Sequence, residues 1–324
     1  MLKAMKKVII ACVGFFYLSA YAQPTPSTQL LIYPRAGVNS ILTQIQQAHD
    51  QIDLVMYGFT DQRIESALIK AHQRGVLVRL MLQQKPYKAE GENTKAARRA
   101  RQAGLQVKWT HPAFKITHQK TMIIDHRLAM IMTFNFTYST FKTARNFALI
   151  TQSPIEVNEI ESVFNADWQR KTVSVKVPSL VWSPDNAQKK LIHFINDAKK
   201  YVFVYNQEVI SYPINNALVK AAKRGVDVRL IVPASTAGQY QRVLRYLNRH
   251  GVQVRIDQQH YIHAKAMLES TQSGTARLFV GSSNFSDYGL NRNRELGIIT
   301  SDLIPTRKMS SIFMKDWKTS EPPP

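Results

Sequence analysis

The second half of this chain restates the first at an offset close to 150 residues, and few folds accommodate such a repeat. In the first copy Tyr33-Pro34 leads into a helical stretch from Ser40 to His49 and then the β-rich run Ile52 to Tyr57. The second copy answers with Ser183-Pro184, a helical stretch around Leu191 to Ala198, and Tyr201 to Tyr205. Ile64, Ala67, Leu68 and Ala71 then recur at the spacing of a buried helix face, and Ile214, Ala217, Leu218 and Ala221 repeat them. Each helix meets Arg-Gly (Arg74-Gly75, Arg224-Gly225), a left-handed stop, before a second β-rich run at 76–80 or 226–230. Both copies close alike, on Phe164-Asn165-Ala166-Asp167-Trp168 and Phe313-Met314-Lys315-Asp316-Trp317.

Strands alternating with helices predict an α/β fold, with a mainly parallel or mixed sheet in each half. A duplicated domain packs with pseudo-two-fold symmetry, so equivalent motifs face one another across the join and share one cleft. The expected organisation is a leader at 1–22, a first half at 23–172, a linker at 173–179 containing Pro178, and a second half at 180–324.

The leader expectation rests on Lys3, Lys6 and Lys7, an apolar stretch from Val8 to Tyr21, and Ala20-Tyr21-Ala22 as a cleavage site. The apolar stretch is short for a membrane span, so the protein is expected to be exported, to a periplasm or beyond. Cys12 is the only cysteine, and cleavage would remove it. Disulfides, thiolate nucleophiles and Cys-bound zinc are then excluded, and chemistry falls to His, Lys, carboxylates, hydroxyls and amides. The 43 Lys plus Arg against 22 Asp plus Glu leave a net charge of +21, which favours a polyanionic partner, nucleic acid or anionic lipid.

The polar residues that repeat are His118-Gln119-Lys120 and His263-Ala264-Lys265, each in an apolar, β-like run. Residues two apart in an extended chain project to one side, so each His and its Lys should point into one pocket. One such pair means little, but two in register with a repeat carry weight. Each is followed by a strand and an Asn in a polar turn, Asn135 and Asn284.

These motifs resemble the phospholipase D superfamily, whose signature is H-x-K-x4-D followed by G-S-x-N, twice per active site. The likeness spans nearly all of the chain beyond the leader. The stretch from Ile52 to Leu82 also resembles the small bacterial nuclease branch, and Asn293-Arg294-Glu295 matches the family's Asn-x-Glu run. The resemblance implies a metal-independent phosphodiesterase without cofactor, in which two Lys and two Asn offset charge on the phosphate. One imidazole attacks phosphorus, and the other protonates the leaving oxygen and then activates water. By that resemblance the site is His118, Lys120, Asn135, His263, Lys265, Asn284 and Glu295, supported by Asp125 and Ser282. His118 is expected as nucleophile and His263 as general acid, with the reverse left open. Glu295 is expected to hold the second ring nitrogen of one of them, and the sequence does not say which.

The chain departs from the family pattern in several places. Met132-Thr133 stands for Gly-Ser, Ala148 stands where the first Asn-x-Glu run would place its Glu, and Ser270 stands for the second Asp. Glu269 is one residue out of register and should point away from that face. With both His, both Lys and both Asn retained, a decayed anion- or membrane-binding module is the weaker expectation.

Within the superfamily the same centre serves phospholipids and nucleic acids. Export, two fused halves in one chain and aromatic residues beside the site favour phospholipid, anionic or zwitterionic, with peripheral membrane contact and a functional monomer. Charge and the nuclease-like stretch favour nucleic acid. The basic run Lys95, Arg98, Arg99 and Arg101 is expected as a solvated helix face. His111, His126, His250 and His260 lack metal-ligand spacing. Phe134, Phe136, Tyr138 and Phe141 are either core or lining of a lipid or base pocket.

Overall fold

A β-rich run, a helix ended by Arg-Gly and a second β-rich run make a βαβ unit, and each copy of the repeat folds around one. The computed structural model describes residues 28–87 and 91–323. The expected leader, with Cys12 and Ala20-Tyr21-Ala22, lies outside the described residues. In chain order the first half carries β1 (Gln29–Tyr33), α1 (Asn39–Gln46), β2 (Gln51–Met56), α2 (Gln62–Gln73), β3 (Leu77–Leu82), α3 (Glu92–Gln102), β4 (Gln106–Trp109), β5 (Thr121–Ile124), β6 (Leu128–Met132), β7 (Ala144–Thr151) and α4 (Pro154–Gln169). The second carries β8 (Leu180–Ser183), α5 (Ala187–Asp197), β9 (Tyr201–Asn206), α6 (Tyr212–Lys223), β10 (Asp227–Pro233), α7 (Ala234–Gln239), α8 (Gln241–Arg249), β11 (Gln253–Asp257), β12 (Tyr261–Ile262), β13 (Lys265–Ser270), β14 (Ala276–Gly281), α9 (Asp287–Asn291), β15 (Glu295–Thr300) and α10 (Leu303–Thr319).

The two sheets have the same strand order, β1-β7-β6-β5-β2-β3-β4 and β8-β15-β14-β13-β9-β10-β11. Strands joined through helices, β2-β3-β4 and β9-β10-β11, run parallel, as does the short β12 that the second half adds to β7, and the rest of each sheet is antiparallel. Gly75 and Gly225, at φ +96° and +84°, end α2 and α6 in the left-handed region that glycine adopts without strain. Beside them Arg74 donates to the carbonyls of Ile45 and Gln46, and Arg224 to those of Ile195 and Asn196, tying the helix pairs together at matching points.

Each half has an outer core between its sheet and its helices. A third core lies between the halves, where Phe147, Leu149, Trp182, Tyr205, Leu296 and Ile298 meet side chains of α4 and α10. Residues 171–179 carry no helix or strand. Their Val173, Val175 and Val177 nevertheless pack on this shared core, so the connection is part of the join.

The repeated Asp-Trp endings have their reason here. Arg294 of the second half forms a bidentate pair with Asp167 of α4, at 2.8 and 2.9 Å. Arg145 of the first half does the same with Asp316 of α10, at 2.7 and 2.9 Å. All four side chains are buried, so loss of either arginine leaves an uncompensated carboxylate at the join.

Two departures from the family pattern are structural exchanges. Asp125 ends β5 away from the site, where its carboxylate accepts from the backbone N–H groups of His49, Asp50 and Gln51. Ser270 does the same in the second half with one hydroxyl, accepting from Lys200 and Tyr201. Glu269 turns the other way and pairs with Arg277. In the second half the Phe279 ring lies over Gly281 and Gly297, where a Cβ would come within 2.8 Å and 2.3 Å of it. The first half replaces this trio with Met130, Met132 and Ala148, so a smaller side chain opposite makes room for larger ones. Thr133 keeps the role of Ser282: each hydroxyl accepts a backbone N–H of the next strand, from Phe147 at 3.0 Å and Leu296 at 3.2 Å.

Candidate active site

The His-x-Lys segments lie just before their strands, a shift from the expected position within them. His118 and Lys120 precede β5, and His263 precedes β13, which begins at Lys265. The reason is that each segment first pairs with the opposite half. Thr117 bridges to Arg294, whose carbonyl accepts from the N–H groups of His118 and Gln119, both at 3.0 Å. On the other side β12 pairs with β7, and the Arg145 carbonyl accepts from His263 N–H at 3.2 Å. The same two arginines that lock the halves together therefore hold the two histidine segments.

The residue after each arginine meets the imidazole. Glu295 follows Arg294, and both its carboxylate oxygens lie 3.0 Å from Nδ1 of His118, across the join. Asn146 follows Arg145, and its Oδ1 lies 3.3 Å from Nδ1 of His263, also across the join. Thr133 donates to the same oxygen at 2.8 Å. Asn146, and not Ala148, is thus the counterpart of Glu295. The correction follows from strand register: Ala148 pairs with Met132 as Gly297 pairs with Gly281, which places Asn146 and Glu295 149 residues apart, like Asn135 and Asn284. Nδ1 being engaged, Nε2 of each ring is left for chemistry, with Glu295 favouring the N–H at Nδ1 of His118.

Both rings line one cavity of about 360 Å³ at the join, with Asn135 and Asn284 also in its wall. Asn135 is oriented by the Gly58 N–H, which donates to its Oδ1 at 3.3 Å and leaves its Nδ2 to donate. The lysines turn back over their own motifs: Lys120 Nζ donates to the His118 carbonyl, and Lys265 Nζ to that of His263 at 2.6 Å. Their other neighbours differ. Lys120 lies 5.1 Å from the centroid of the Tyr57 ring, which also stands edge-on to His118 at 4.7 Å. Lys265 donates to Gln207 Oε1 at 3.0 Å. Tyr57, Gln207 and Asn146 were not singled out from the sequence; aligning the repeat by strand register would have found them.

Burial dominates the electrostatics. It pulls His118 down to about 4 even though the Glu295 carboxylate favours its charged form. His263 is held well below its ordinary value by burial and then by the charges of Lys265 and Lys120. Lys265 is lowered to about 7 and Lys120 well below its usual range, again by burial. A phosphodiester monoanion bound between these groups would favour all the charged forms. Neutral imidazole at His118 suits a nucleophile, and protonation of His263 would accompany substrate.

Other residues noted in the sequence lie elsewhere. Arg99 pairs with Glu65 and Lys95 with Glu92, and Arg101 stacks over Trp109, all around the outer helix α3. Phe134, Phe136 and Phe141 are core, whereas Tyr138 is 56% exposed.

Two imidazoles and two amides line one cavity between two copies of an α/β domain, with two buried lysines bonded behind the histidines. The chain belongs to the family described as "Cardiolipin synthase, PLD-like domain", whose family model matches residues 41–168 and again 191–317. It is therefore a phosphodiesterase of the phospholipase D superfamily. Among curated relatives, a phospholipase D of Rickettsia prowazekii is 31% identical over 167 residues, covering 51% of this chain and 76% of that one. Cardiolipin synthase B of Escherichia coli is 25% identical over 309 residues, covering 81% and 73%. Among solved structures, phosphatidylserine synthase of Haemophilus influenzae superposes at a TM-score of 0.71 with 10% identity, over 91% of this chain and 87% of that one. Polyphosphate kinase of Porphyromonas gingivalis also gives 0.71, at 18% identity over 90% of this chain, which spans 50% of that one. These two likenesses concern the fold alone. No helix among the described residues is long and apolar enough to cross a membrane.

Proposed function

We propose that the protein is an exported phospholipase D that hydrolyses the headgroup phosphodiester of glycerophospholipids, working as a monomer in peripheral contact with a membrane. The observation that carries the chemistry is the pair of opposed supports in one cleft, carboxylate Glu295 behind His118 and amide Asn146 behind His263. The names of the curated relatives, phospholipase D and cardiolipin synthase B, support lipid as the substrate.

His118 Nε2 attacks phosphorus and displaces the headgroup alcohol, whose oxygen takes a proton from His263. The Glu295 carboxylate stabilises the positive charge that forms on the His118 ring. Lys120, Lys265, Asn135 and Asn284 offset charge on the non-bridging oxygens. Neutral His263 then takes a proton from water, whose oxygen attacks phosphorus and breaks the phosphorus–nitrogen bond. The products are the free alcohol and phosphatidic acid, with both imidazoles restored.

A metal-independent endonuclease is the second reading, favoured by the net charge of +21. The deciding experiment incubates purified protein in EDTA with phospholipid vesicles and, separately, with single- and double-stranded DNA. Headgroup release that His118→Ala abolishes supports the phospholipase. DNA cleavage with no lipid turnover replaces it by the nuclease, and a need for divalent metal removes the two-imidazole mechanism.

A further inference from the structure

Outside the cleft, positive charge collects on α8, which carries three arginines and no acidic residue. Leu244 and Leu247 fix the helix to the outer core of the second half. The spacing i, i+3, i+7 then puts Arg242, Arg245 and Arg249 together on the exposed face. With Tyr246 and His250 they line a notch of about 420 Å³. Among the described residues none of the three guanidiniums has an ion-pair or hydrogen-bond partner. The symmetry makes that freedom pointed. Helix α3 stands between β3 and β4 as α8 stands between β10 and β11, and its cations are occupied: Lys95 by Glu92, Arg99 by Glu65, and Arg101 over the Trp109 ring. Like charges on successive turns of one helix repel, so the row on α8 does nothing for the fold and calls for an anion from outside.

Guanidinium groups bind phosphate oxygens in pairs, and three of them over two turns can hold several phosphates at once. A single-stranded nucleic acid would also need aromatic rings on which to stack its bases. The one phenol in the notch, Tyr246, is already packed against His250, with ring centroids 4.3 Å apart, and the His250 Nδ1 bonds to the Tyr246 carbonyl at 2.7 Å. A half-exposed tyrosine among arginines suits the headgroup layer of a bilayer, where an apolar ring with a polar tip is at home. The helix also begins at the cleft. Tyr240, the residue before it, donates through its hydroxyl to Glu208 in the wall of the active-site cavity, at 3.4 Å, and Thr236 of α7 donates to the Gln207 carbonyl. Arg242 thus stands two residues from a side chain that touches the wall of the site.

We propose that the exposed face of α8 is the surface on which the protein docks to a bilayer containing anionic phospholipid, with Arg242, Arg245 and Arg249 meeting the phosphates of neighbouring headgroups. This rests on the phospholipase reading above and gives its membrane contact a location. The docked lipids are not the substrate: they hold the protein at the interface, and cleavage takes place in the cleft.

The test compares wild type with two triple variants, Arg242→Gln/Arg245→Gln/Arg249→Gln and Arg242→Lys/Arg245→Lys/Arg249→Lys. Each is sedimented with vesicles of phosphatidylcholine alone and of phosphatidylcholine mixed with phosphatidylglycerol, at low and high salt, and each is assayed on bis(p-nitrophenyl) phosphate in solution. Wild type should bind the mixed vesicles far more tightly than the neutral ones. The glutamine variant should lose about 10²-fold of that affinity and the lysine variant much less, and high salt should erase the difference. Turnover of bis(p-nitrophenyl) phosphate should be the same in all three proteins. Undiminished binding of the mixed vesicles by the glutamine variant would overturn the proposal, and so would a parallel loss of soluble turnover, which would mean a structural role. Weaker binding of double-stranded DNA with vesicle binding intact would assign the face to nucleic acid instead. Wild type that binds the mixed vesicles through these arginines yet releases no headgroup from either vesicle would remove the phospholipase reading and leave the docking surface standing.

Discussion

The two half-sites share a fold, a histidine, a lysine and an asparagine, yet differ behind the imidazole. His118 faces a carboxylate at 3.0 Å and His263 an amide oxygen at 3.3 Å. A carboxylate supports the cation formed when a ring bonds to phosphorus, and an amide fixes orientation without adding charge. The difference teaches that duplication supplied two equal frames and that one residue, Glu295 or Asn146, sets them apart; under the proposed mechanism it divides the labour between them. The neighbouring lysines differ in parallel, one beside the Tyr57 ring and the other bonded to Gln207.

That division can be broken most sharply at the nucleophile. His118→Ala should cost on the order of 10⁴-fold or more in kcat and yield no phosphoenzyme. His263→Ala should still form one from bis(p-nitrophenyl) phosphate, whose leaving group needs little protonation; base-stable, acid-labile phosphate on protein quenched in alkaline detergent is the readout, and its appearance in His118→Ala would reverse the roles. Glu295→Gln comes next, with kcat reduced about 10²- to 10⁴-fold, whereas Asn146→Ala should cost only about tenfold. Equal losses would erase the comparison.

The halves should instead behave alike at the join. Arg294→Met and Arg145→Met each strand a buried aspartate, and each should lower unfolding stability by about 3–5 kcal/mol in urea titration. The pH profile tests the electrostatics: kcat/KM should fall below about 4 as His118 protonates, and on the alkaline side as His263 loses the proton it donates and then, above about 7, as Lys265 loses its charge. Asn146→Asp, which adds a carboxylate beside His263, should raise the pKa of that ring and extend the alkaline limb. The smallest effects belong to the strand ends. Asp125→Ala and Ser270→Ala should each cost about 1–2 kcal/mol in stability, the former more, with kcat/KM little changed.

Most of the fold was legible because a repeat doubles every weak pattern. The helix faces at Ile64 and Ile214, the Arg-Gly stops and the paired His-x-Lys segments each support the other copy. Asn146 escaped notice because an expected spacing from Asn146 to Ala148 was matched to the Asn-x-Glu run, whereas strand register aligns Arg145 with Arg294. The Asp-Trp endings were visible as a repeat, but their partners lie 171 and 127 residues away in sequence.

What the sequence by itself determined is the duplication, the α/β units and the residue types of a two-imidazole phosphodiester centre, because local periodicity and a short motif encode these. Which residue stands behind which histidine was decided by tertiary structure alone. Each histidine segment hydrogen-bonds to the opposite half before joining its own sheet, so Glu295 reaches His118 across the join and Asn146 reaches His263. Contacts made in that crossed sense depend on how two domains dock, and no spacing along one chain records it.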